Sequence, residues 1–457
     1  MKLEHCFINL LKFTLSAFLT FVFVLSVNAQ LKKDLHTYID VIRSKKGFSG
    51  EILVAKGENV IFRESVGLAS VEHDLKLENG DKYRIASITK TFTGTLIAIA
   101  QAENKLNVED KAGQYIEGLS DKFKDITIYQ LLTHTSGLPH NEGIKDYWQV
   151  KSKLQLENEQ VISEINDLDL LFPPGSKMSY SSLGYYLLAD ILEKVYQDDF
   201  QNILENKILK KLEMNETGAA DTLKVIPRMT AGYHLVTDDR LVVAPYRNYS
   251  MLKGAGDMYS SSTDLLKWSN SFFSGNLLNE KTKALMFTAK NSVEKNYGYG
   301  WFIKNEKPKK YYHGGGTWGY SSYIALYPEE KISIIVLSNV STLPTESIAA
   351  DIEKMVFGLP FEMPEKEKEI LPDSIDLKIY SGNFISDSGK MKLNIIYTKN
   401  NLFAQLVGNP PFEIYPKGDH RFFGKKVELE ITFEVKDDVV SGLNVERTGQ
   451  IFHFKKL

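Results

Sequence analysis

The order of strand-like and helix-like segments along the first 360 residues limits the folds that this chain can adopt. Residues 48–68 have the pattern of a β-hairpin around Gly57-Glu58-Asn59. Apolar helical stripes follow at residues 83–106 and 183–196. Strand-like runs return between residues 297 and 339. Strands at both ends with helices between them predict an α+β fold, in which an antiparallel sheet is flanked by helices and contains an inserted helical region.

The C-terminal part of the chain has a different pattern. Residues 361–374 are rich in Glu and Lys and contain Pro364 and Pro372, which is typical of a linker. From residue 375 onward, short alternating strand-like runs are separated by turn residues such as Lys399-Asn400-Asn401 and Lys436-Asp437-Asp438. This pattern predicts a small all-β barrel or sandwich over residues 375–457.

The first residues have the features of a signal peptide. Lys2 and Lys12 precede an apolar run, and Val27-Asn28-Ala29 is a suitable cleavage site. The run is short for a membrane span, so we expect removal of residues 1–29, a periplasmic or secreted protein and no span in the mature chain. An uncleaved anchor is the alternative. The predicted units are therefore the signal peptide, a domain over residues 30–360, the linker and the β domain.

A serine three residues before a lysine opens the first apolar helix, in Ser87-Ile88-Thr89-Lys90. Residues i and i+3 share one face of a helix, so the Lys90 amine can reach the Ser87 hydroxyl and act on its proton. The same spacing occurs at Ser250/Lys253 and at Ser292/Lys295. Glycines follow the first of these copies, and the second lies in a charged stretch before a strand-like run. The context therefore selects Ser87 as the candidate nucleophile.

Two further stretches carry groups that acyl transfer needs. Tyr180 follows the chain break at Pro173-Pro174-Gly175 and can move a proton toward a leaving group. The run His313-Gly314-Gly315-Gly316 lets backbone N–H groups approach an oxyanion. A dinucleotide pattern also fits these glycines, but a strand-like run follows where a helix is required. The HGGG loop of α/β-hydrolases needs a G-x-S-x-G elbow, which this sequence lacks. We interpret the glycine run as an edge strand lining a serine–lysine site.

Together these motifs resemble those of the serine β-lactamase and penicillin-binding-protein superfamily. They are most similar to the class C-like serine hydrolases, the branch with esterases and D-aminopeptidases. Ser87-x-x-Lys90, Tyr180-x-Ser182 and His313-Gly314-Gly315 occur in the family's order. The resemblance implies that Ser87 is acylated, that Lys90 and Tyr180 share proton transfer, and that the N–H groups of Ser87 and Gly316 form the oxyanion hole. Ser182, His313, Gly314 and Gly315 would then contact the substrate.

Two departures from the family pattern affect the expected substrate. Ser182 replaces an asparagine that hydrogen-bonds the substrate amide, and its side chain is shorter. His313 replaces a lysine and is mostly neutral at neutral pH, which weakens binding of a carboxylate. We therefore expect an exported serine hydrolase that acts on small esters or on D-amino-acid peptides and amides. Trp148, Trp318 and Tyr320 are candidates for lining its pocket.

Two alternatives stay open on the sequence alone. The first is a β-lactamase or a cell-wall D-Ala-D-Ala carboxypeptidase with the same fold. The second is a non-catalytic sensor of cell-wall fragments, although the presence of Ser87, Lys90 and Tyr180 argues against it.

Charge and motif spacing argue against other functions. The net charge is −3 and there is no basic patch, so nucleic-acid binding has no electrostatic support. His134 and His140 fit no zinc spacing, and H-E-x-x-H is absent from the sequence, so we expect no metal and no cofactor. We expect His134 to pack in the turn after a short helix at residues 126–134. The expected partner is a small-molecule or peptide substrate, and the sequence does not indicate an oligomeric state.

Overall fold

In the computed structural model, the described residues are 29–457 apart from 46, 220–223, 238–239, 290–291, 295, 342, 344, 365–375, 388, 390, 425–428 and 448–449. Residues 1–28, which hold nearly all of the predicted signal peptide, lie outside the described residues. The same is true of most of the predicted linker. Within the described ranges, no helix has the length and apolar character needed to cross a membrane.

A six-stranded antiparallel sheet joins the two ends of the region that we call the α+β unit, residues 29–364. The N-terminal hairpin pairs with the last of four strands that follow the helices. The sheet order is Phe302–Lys304, Lys310–Thr317, Tyr320–Tyr327, Ile332–Ser338, Gly50–Lys56 and Asn59–Val66. The helices between the hairpin and the other strands form the inserted region, so the predicted α+β architecture is confirmed.

Alternation along the central strands creates a core on each face of the sheet. In the strand Gly50–Lys56, Ile52 and Val54 join one core, whereas Leu53 and Ala55 join the other. This is the two-residue period of a strand that is covered on both faces. The helices 29–45 and Thr345–Val356 cover the first face. The second face packs against three long helices, Thr89–Ala102, Ser182–Tyr196 and Ser262–Ser274.

Shorter elements complete the α+β unit. The remaining α-helices are Asp121–Lys124, Ile128–Leu132, Asn158–Asn166, Phe200–Leu204 and Glu280–Met286. Small strands outside the central sheet are Leu68–Ser70, Leu75–Lys76, Tyr83–Arg84, Gly218–Ala219, Tyr233–Thr237, Arg240–Val243 and Met258–Ser260. One local expectation needs correction, since the strand expected from residue 297 begins only at Phe302. Ser261 caps the helix Ser262–Ser274 by accepting a hydrogen bond from the Asp264 N–H.

The C-terminal residues form a closed eight-stranded antiparallel barrel, which resolves the choice between a barrel and a sandwich. Its strands are Gly382–Ser386, Lys392–Thr398, Asn401–Leu406, Phe412–Gly418, Arg421–Phe423, Glu430–Lys436, Val439–Arg447 and Gln450–Lys456. The first strand pairs with the last and closes the barrel. Two-residue turns at Lys399-Asn400 and Asp437-Asp438 have positive φ at both positions, as tight hairpins require.

Candidate active site

Ser87 lies in a tight turn immediately before the helix Thr89–Ala102. The 3₁₀ turn Ala86–Ile88 leads directly into this helix, so Ser87 and Lys90 keep the expected spacing across the junction. Ala86 has a φ of 46°, a left-handed conformation that is unfavourable for alanine and common at functional turns. Ser87 is half-buried at this bend. The hydroxyl is therefore presented by a constrained backbone.

The helix behind Ser87 fits closely against the chain near Gly300. A Cβ atom at Gly94 would lie 2.3 Å from the carbonyl oxygen of Tyr299, and one at Gly300 would lie 2.1 Å from the carbonyl oxygen of Lys90. Gly94 thus lets the helix approach the backbone at Tyr299 closely, and this packing offsets the low helix propensity of glycine.

Lys90 is completely buried, and three oxygen atoms surround its amine. Nζ lies 2.6 Å from the Ala255 carbonyl oxygen, 3.1 Å from Ser182 Oγ and 3.3 Å from Ser87 Oγ. A protonated lysine has three N–H donors, so all three can be used here. A neutral amine has two donors and one lone pair, and can accept the Ser87 proton while it donates to the other two oxygens.

Burial shifts the titration of Lys90 toward neutral pH. Loss of solvation lowers the pKa of its amine from 10.5 to about 7. Two charged neighbours act in opposite directions: Asp257 raises this pKa and Arg247 lowers it. A substantial share of Lys90 is therefore neutral at physiological pH, as a general base requires.

Tyr180 and Ser182 approach Lys90 from the start of the helix Ser182–Tyr196. The Tyr180 ring centroid lies 4.9 Å from Lys90 Nζ. Its hydroxyl is buried and forms no hydrogen bond of good geometry within the described residues. Burial raises the pKa of Tyr180 above 10.0, and the Ser87 hydroxyl partly offsets this rise. At neutral pH the phenol is therefore protonated.

Two buried histidine rings lie next to the ring of Tyr180. His134 follows the helix Ile128–Leu132, in the turn where we expected it, and its Nδ1 accepts a hydrogen bond from the Ser181 N–H at 3.1 Å. Its ring centroid lies 4.3 Å from that of Tyr180. The ring of His313 is 6.2 Å from Tyr180, and its Nε2 pairs with the Tyr297 hydroxyl at 3.1 Å. Burial lowers the pKa of His313 to about 3, so this histidine is neutral.

The glycine run lies on the strand Lys310–Thr317, which is pressed against the Ser87 turn. A Cβ atom at Gly315 would lie 2.2 Å from the Ile85 carbonyl oxygen, and Ser322 Oγ donates to the same oxygen at 2.9 Å. This strand is the second from the edge of the sheet, so the expectation that it would be the edge strand was wrong. Its outer neighbour pairs only as far as Tyr312, however, and Gly314 to Gly316 lie beyond that pairing.

The structure thus gathers the predicted residues around one point and separates the two other serine–lysine copies from it. Lys253 pairs with Glu193 at 2.5 Å and does not contact Ser250 through a hydrogen bond. Ser292 starts a short 3₁₀ turn, and Lys295 lies outside the described residues. In the part of the chain that is described, no group of three or more His, Cys, Asp or Glu side chains is arranged to hold a metal ion.

Comparison with known proteins agrees with this geometry. The model of the Beta-lactamase family matches residues 40–354, which is more than half of the chain. The chain belongs to the β-lactamase family. It is 26% identical over 441 residues to penicillin-binding protein 4* of Bacillus subtilis, covering 92% of this chain and 97% of the relative.

Solved structures share this fold, one over nearly the whole chain and one over 71% of it. The octameric penicillin-binding protein homologue from Pyrococcus abyssi has a TM-score of 0.64 and 24% identity, with 93% of this chain and 99% of that chain covered. A D-stereospecific amidohydrolase from Streptomyces sp. has a TM-score of 0.61 and 22% identity, over 71% of this chain and 99% of that chain. This β-lactamase-family chain is a serine hydrolase.

Several residues near the site were not predicted, because most of them come from segments far from the motifs in the chain. They contact Lys90, His313 or Ser182, or act on the Lys90 amine through their charge. The set comprises His140, Tyr185, Arg247, Ala255, Asp257 and Tyr297. Asp257 alone carried a signal, because Gly256-Asp257-Met258 belongs to one of the stretches that resemble the family.

An aromatic cluster in the α+β unit meets a loop of the barrel. The rings of Trp148 and Trp318 are 5.9 Å apart, and the Arg247 guanidinium lies 5.2 Å and 5.8 Å from their centroids. Trp318 lies two residues after Gly316. Its indole N–H donates to Asn409 Oδ1 in the barrel at 2.9 Å, and Gly408 is packed against Trp148. Tyr320, the third expected pocket residue, instead directs its hydroxyl to the Thr230 carbonyl in the core.

Proposed function

We propose that this chain forms a covalent acyl-enzyme on Ser87 and hydrolyses small esters or D-amino-acid peptides and amides. The observation that carries the proposal is the Lys90 amine, which is buried, has a pKa near neutrality and lies within hydrogen-bonding distance of Ser87. A serine hydroxyl becomes a useful nucleophile only when a base of this kind is beside it.

The acylation step assigns different roles to Lys90 and Tyr180. Neutral Lys90 removes the Ser87 proton as Oγ attacks the substrate carbonyl carbon. Tyr180 is protonated at neutral pH because burial raises its pKa, which suits a proton donor to the leaving group. Lys90 then returns a proton to the phenolate, and the acyl-enzyme remains. This scheme makes Lys90 the base and Tyr180 the acid.

The glycine strand supplies the remaining element. The backbone N–H groups of Ser87 and Gly316 are suited to stabilise the oxyanion of the tetrahedral intermediate. Gly315 permits this because any side chain there would collide with the Ile85 carbonyl. In deacylation, Lys90 deprotonates a water molecule that attacks the acyl carbonyl, and then gives that proton to Ser87 Oγ as the C–O bond to the acyl group breaks.

The substrate class follows from charge and shape near Ser87. His313 is neutral, so a substrate carboxylate gains no charge pairing where the family has a lysine. The Trp148–Trp318 cluster favours an apolar or aromatic group on the substrate. A fold neighbour is a D-stereospecific amidohydrolase, which supports D-amino-acid amides as candidates.

The decisive experiment compares the wild type, Ser87→Ala and the matched control Ser250→Ala on p-nitrophenyl acetate and on D-phenylalanine amide. We expect turnover of one or both substrates that is lost in Ser87→Ala and kept in Ser250→Ala, with an acetyl group on Ser87 detected by mass spectrometry. Turnover that survives in Ser87→Ala would overturn the assignment.

β-Lactam acylation is the second candidate, because the relative covering nearly the whole chain is a penicillin-binding protein. Nitrocefin and a D-Ala-D-Ala peptide test it on the same three proteins. Stable penicillin labelling of Ser87 with little nitrocefin turnover would indicate acylation without efficient hydrolysis. Fast nitrocefin turnover would replace the ester and amide proposal.

We also propose that the protein is exported after removal of residues 1–29. The support is the basic start and the apolar run that ends at Val27-Asn28-Ala29. N-terminal sequencing of the protein recovered from the periplasm or medium should read from Gln30. Recovery of the full chain in the membrane fraction would favour an anchor instead.

A further inference from the structure

A chain of hydrogen-bonding side chains runs from Lys90 toward solvent. Lys90 Nζ is 3.1 Å from Ser182 Oγ, and Ser182 Oγ is 3.2 Å from His140 Nε2. His140 Nδ1 is 2.8 Å from Glu142 Oε2. Lys90 and Ser182 are buried, whereas the side chains of His140 and Glu142 are 31% and 36% exposed. The path therefore connects the buried base with water.

This path has a use once Ser87 is acylated. Lys90 is neutral after it returns its proton to Tyr180, but an amine with a pKa of about 7 is readily protonated again, and deacylation requires its neutral form. Of the three oxygens around Lys90, the Ala255 carbonyl accepts a hydrogen bond but has no proton to pass on. Ser87 Oγ loses its proton when the acyl bond forms. The Ser182 hydroxyl both accepts and donates, so it alone among these three partners can carry a proton away from Lys90 in the acyl-enzyme.

His140 is placed to hold either protonation state. Its Nδ1 faces the Asn141 N–H at 2.8 Å and the Glu142 carboxylate at 2.8 Å. When Nδ1 carries no proton, it accepts from Asn141. When Nδ1 carries a proton, either in the neutral Nδ1–H tautomer or in the imidazolium, it donates to Glu142, whose charge stabilises the imidazolium. The ring also lies nearly parallel to that of Tyr180, at 18° with centroids 5.7 Å apart, which fixes its orientation.

We propose that Ser182 and His140 form a proton relay that exchanges protons between Lys90 and solvent while Ser87 is acylated. The proposal rests on the acyl-enzyme mechanism proposed above. It gives Ser182 a different role from that of the family's asparagine, whose amide group hydrogen-bonds but does not readily give up and regain a proton.

The transfer balances as two coupled steps that start from the neutral His140 tautomer, which carries its proton on Nδ1 and has a lone pair on Nε2. A Lys90 Nζ–H bond breaks as a new O–H bond forms on Ser182, and the original Ser182 proton moves to His140 Nε2. Lys90 is left neutral with its lone pair restored, Ser182 is again a hydroxyl, and His140 is an imidazolium beside Glu142. His140 then releases its Nδ1 proton to water. The reverse order returns a proton to Lys90.

The first test measures deacylation in His140→Ala of the full-length enzyme. We expect a slower steady state with p-nitrophenyl acetate, by about 10- to 100-fold at low buffer concentration, since positioned proton transfer contributes factors of this order and upward. The initial burst of nitrophenol should persist, and acetyl-Ser87 should accumulate in the mass spectrum. Added imidazole should restore part of the rate by replacing the missing ring, an effect that a purely structural role would not produce.

The second test separates the relay from substrate binding at Ser182. Ser182→Ala should lower kcat with little rise in KM, and Ser182→Thr should keep most of the activity because it retains a hydroxyl. His453→Ala is the matched control, since His453 is a similarly exposed histidine paired with Asp387 and Glu434 in the barrel. It should leave both the burst and the steady state unchanged.

Three results would overturn the relay. The first is a higher KM with unchanged kcat in Ser182→Ala. The second is a slow steady-state rate in His140→Ala that added imidazole does not increase. The third is steady-state turnover in both variants equal to that of the wild type. Failure of the underlying mechanism would look different, because wild-type Ser87 would then show neither burst nor acetylation.

Discussion

The helix Thr89–Ala102 and the C-terminal barrel both have buried interiors, but they bury different kinds of side chain. Twelve residues of the helix are buried, among them Lys90 and four threonines, and each of these polar groups has a hydrogen-bond partner. The barrel core consists of apolar and aromatic side chains such as Phe384, Phe422 and Phe433. Ser386 is the buried polar residue found among the described barrel positions.

The difference shows that the helix buries polar groups at a cost in stability because the active site requires them there. Burying an amine is unfavourable unless it is hydrogen-bonded, and the penalty is what brings the pKa of Lys90 near 7. The barrel core has no comparable group among its described residues, so its interior serves packing. Its contribution to the site comes from its surface, where Asn409 holds Trp318. The following predictions test this division.

The largest effect is expected for Lys90→Met. Loss of the base should lower kcat/KM for p-nitrophenyl acetate by about 10²- to 10⁴-fold. In the wild type, kcat/KM should rise with pH through about 7 as Lys90 loses its proton. A steady-state pH profile of both proteins measures both effects, and a variant with near wild-type activity would remove Lys90 from the mechanism.

The same variant should change how stability depends on pH. Between pH 7 and 10.5 the unfolded state holds a proton on Lys90 that the folded state has lost, so wild-type stability gains a term that increases with pH. Lys90→Met lacks this term. The stability of the variant relative to the wild type should therefore be greater at pH 7 than at pH 9, as measured by urea unfolding. No change in the difference would mean that Lys90 is not desolvated.

In the barrel, Phe433→Ala should cause a large loss of stability with little loss of chemistry. Phe433 is buried, and its ring contacts those of Tyr380, Phe384 and Phe422. A cavity of this kind costs about 3–5 kcal/mol. Denaturant unfolding followed by circular dichroism measures this loss, while esterase activity below the transition should stay within about twofold. Loss of activity at denaturant concentrations where the variant is still folded would show that the barrel core affects the active site, although the two units have separate hydrophobic cores.

A smaller, directional effect is expected for Asp257→Asn. The buried Asp257 carboxylate raises the pKa of Lys90, so its removal should lower that pKa further. The rise of kcat/KM with pH, which follows the loss of the Lys90 proton, should then occur at lower pH. Asp190→Asn is the control, because Asp190 is also largely buried but pairs with Lys253. The assignment would be contradicted if kcat/KM rose at higher pH in Asp257→Asn, or if the shift were equal in both variants.

The smallest effect is expected for Asn409→Ala, which removes the hydrogen bond from Trp318. A single hydrogen bond contributes about 0.5–1.5 kcal/mol, so KM for an aromatic ester should rise by a factor between about 2 and 10 while kcat is retained. Asn394→Ala, which loses a contact inside the barrel, is the control. An equal effect in both variants would count against a role for the barrel loop at the site.

Much of the architecture could be predicted because local patterns encode it. The hairpin at residues 48–68, the helix after Ser87 and the alternating strands of the barrel follow from periodicity and turn residues. Two barrel strands, Gly382–Ser386 and Arg421–Phe423, were not expected. Both are short, and their existence depends on pairing with neighbours more than on their own sequence.

The sequence by itself determined the Ser87–Lys90 pair, because helical geometry alone brings residues three apart together. It did not determine the rest of the site. Ala255 is 165 residues from Lys90 and His140 is 42 residues from Ser182, so their meeting depends on how the helices pack. The reactivity of Lys90 has the same origin, since a lysine near the start of a helix is ordinarily exposed and charged. Only the tertiary structure removed its water, placed three oxygens around its amine and so brought its pKa near 7.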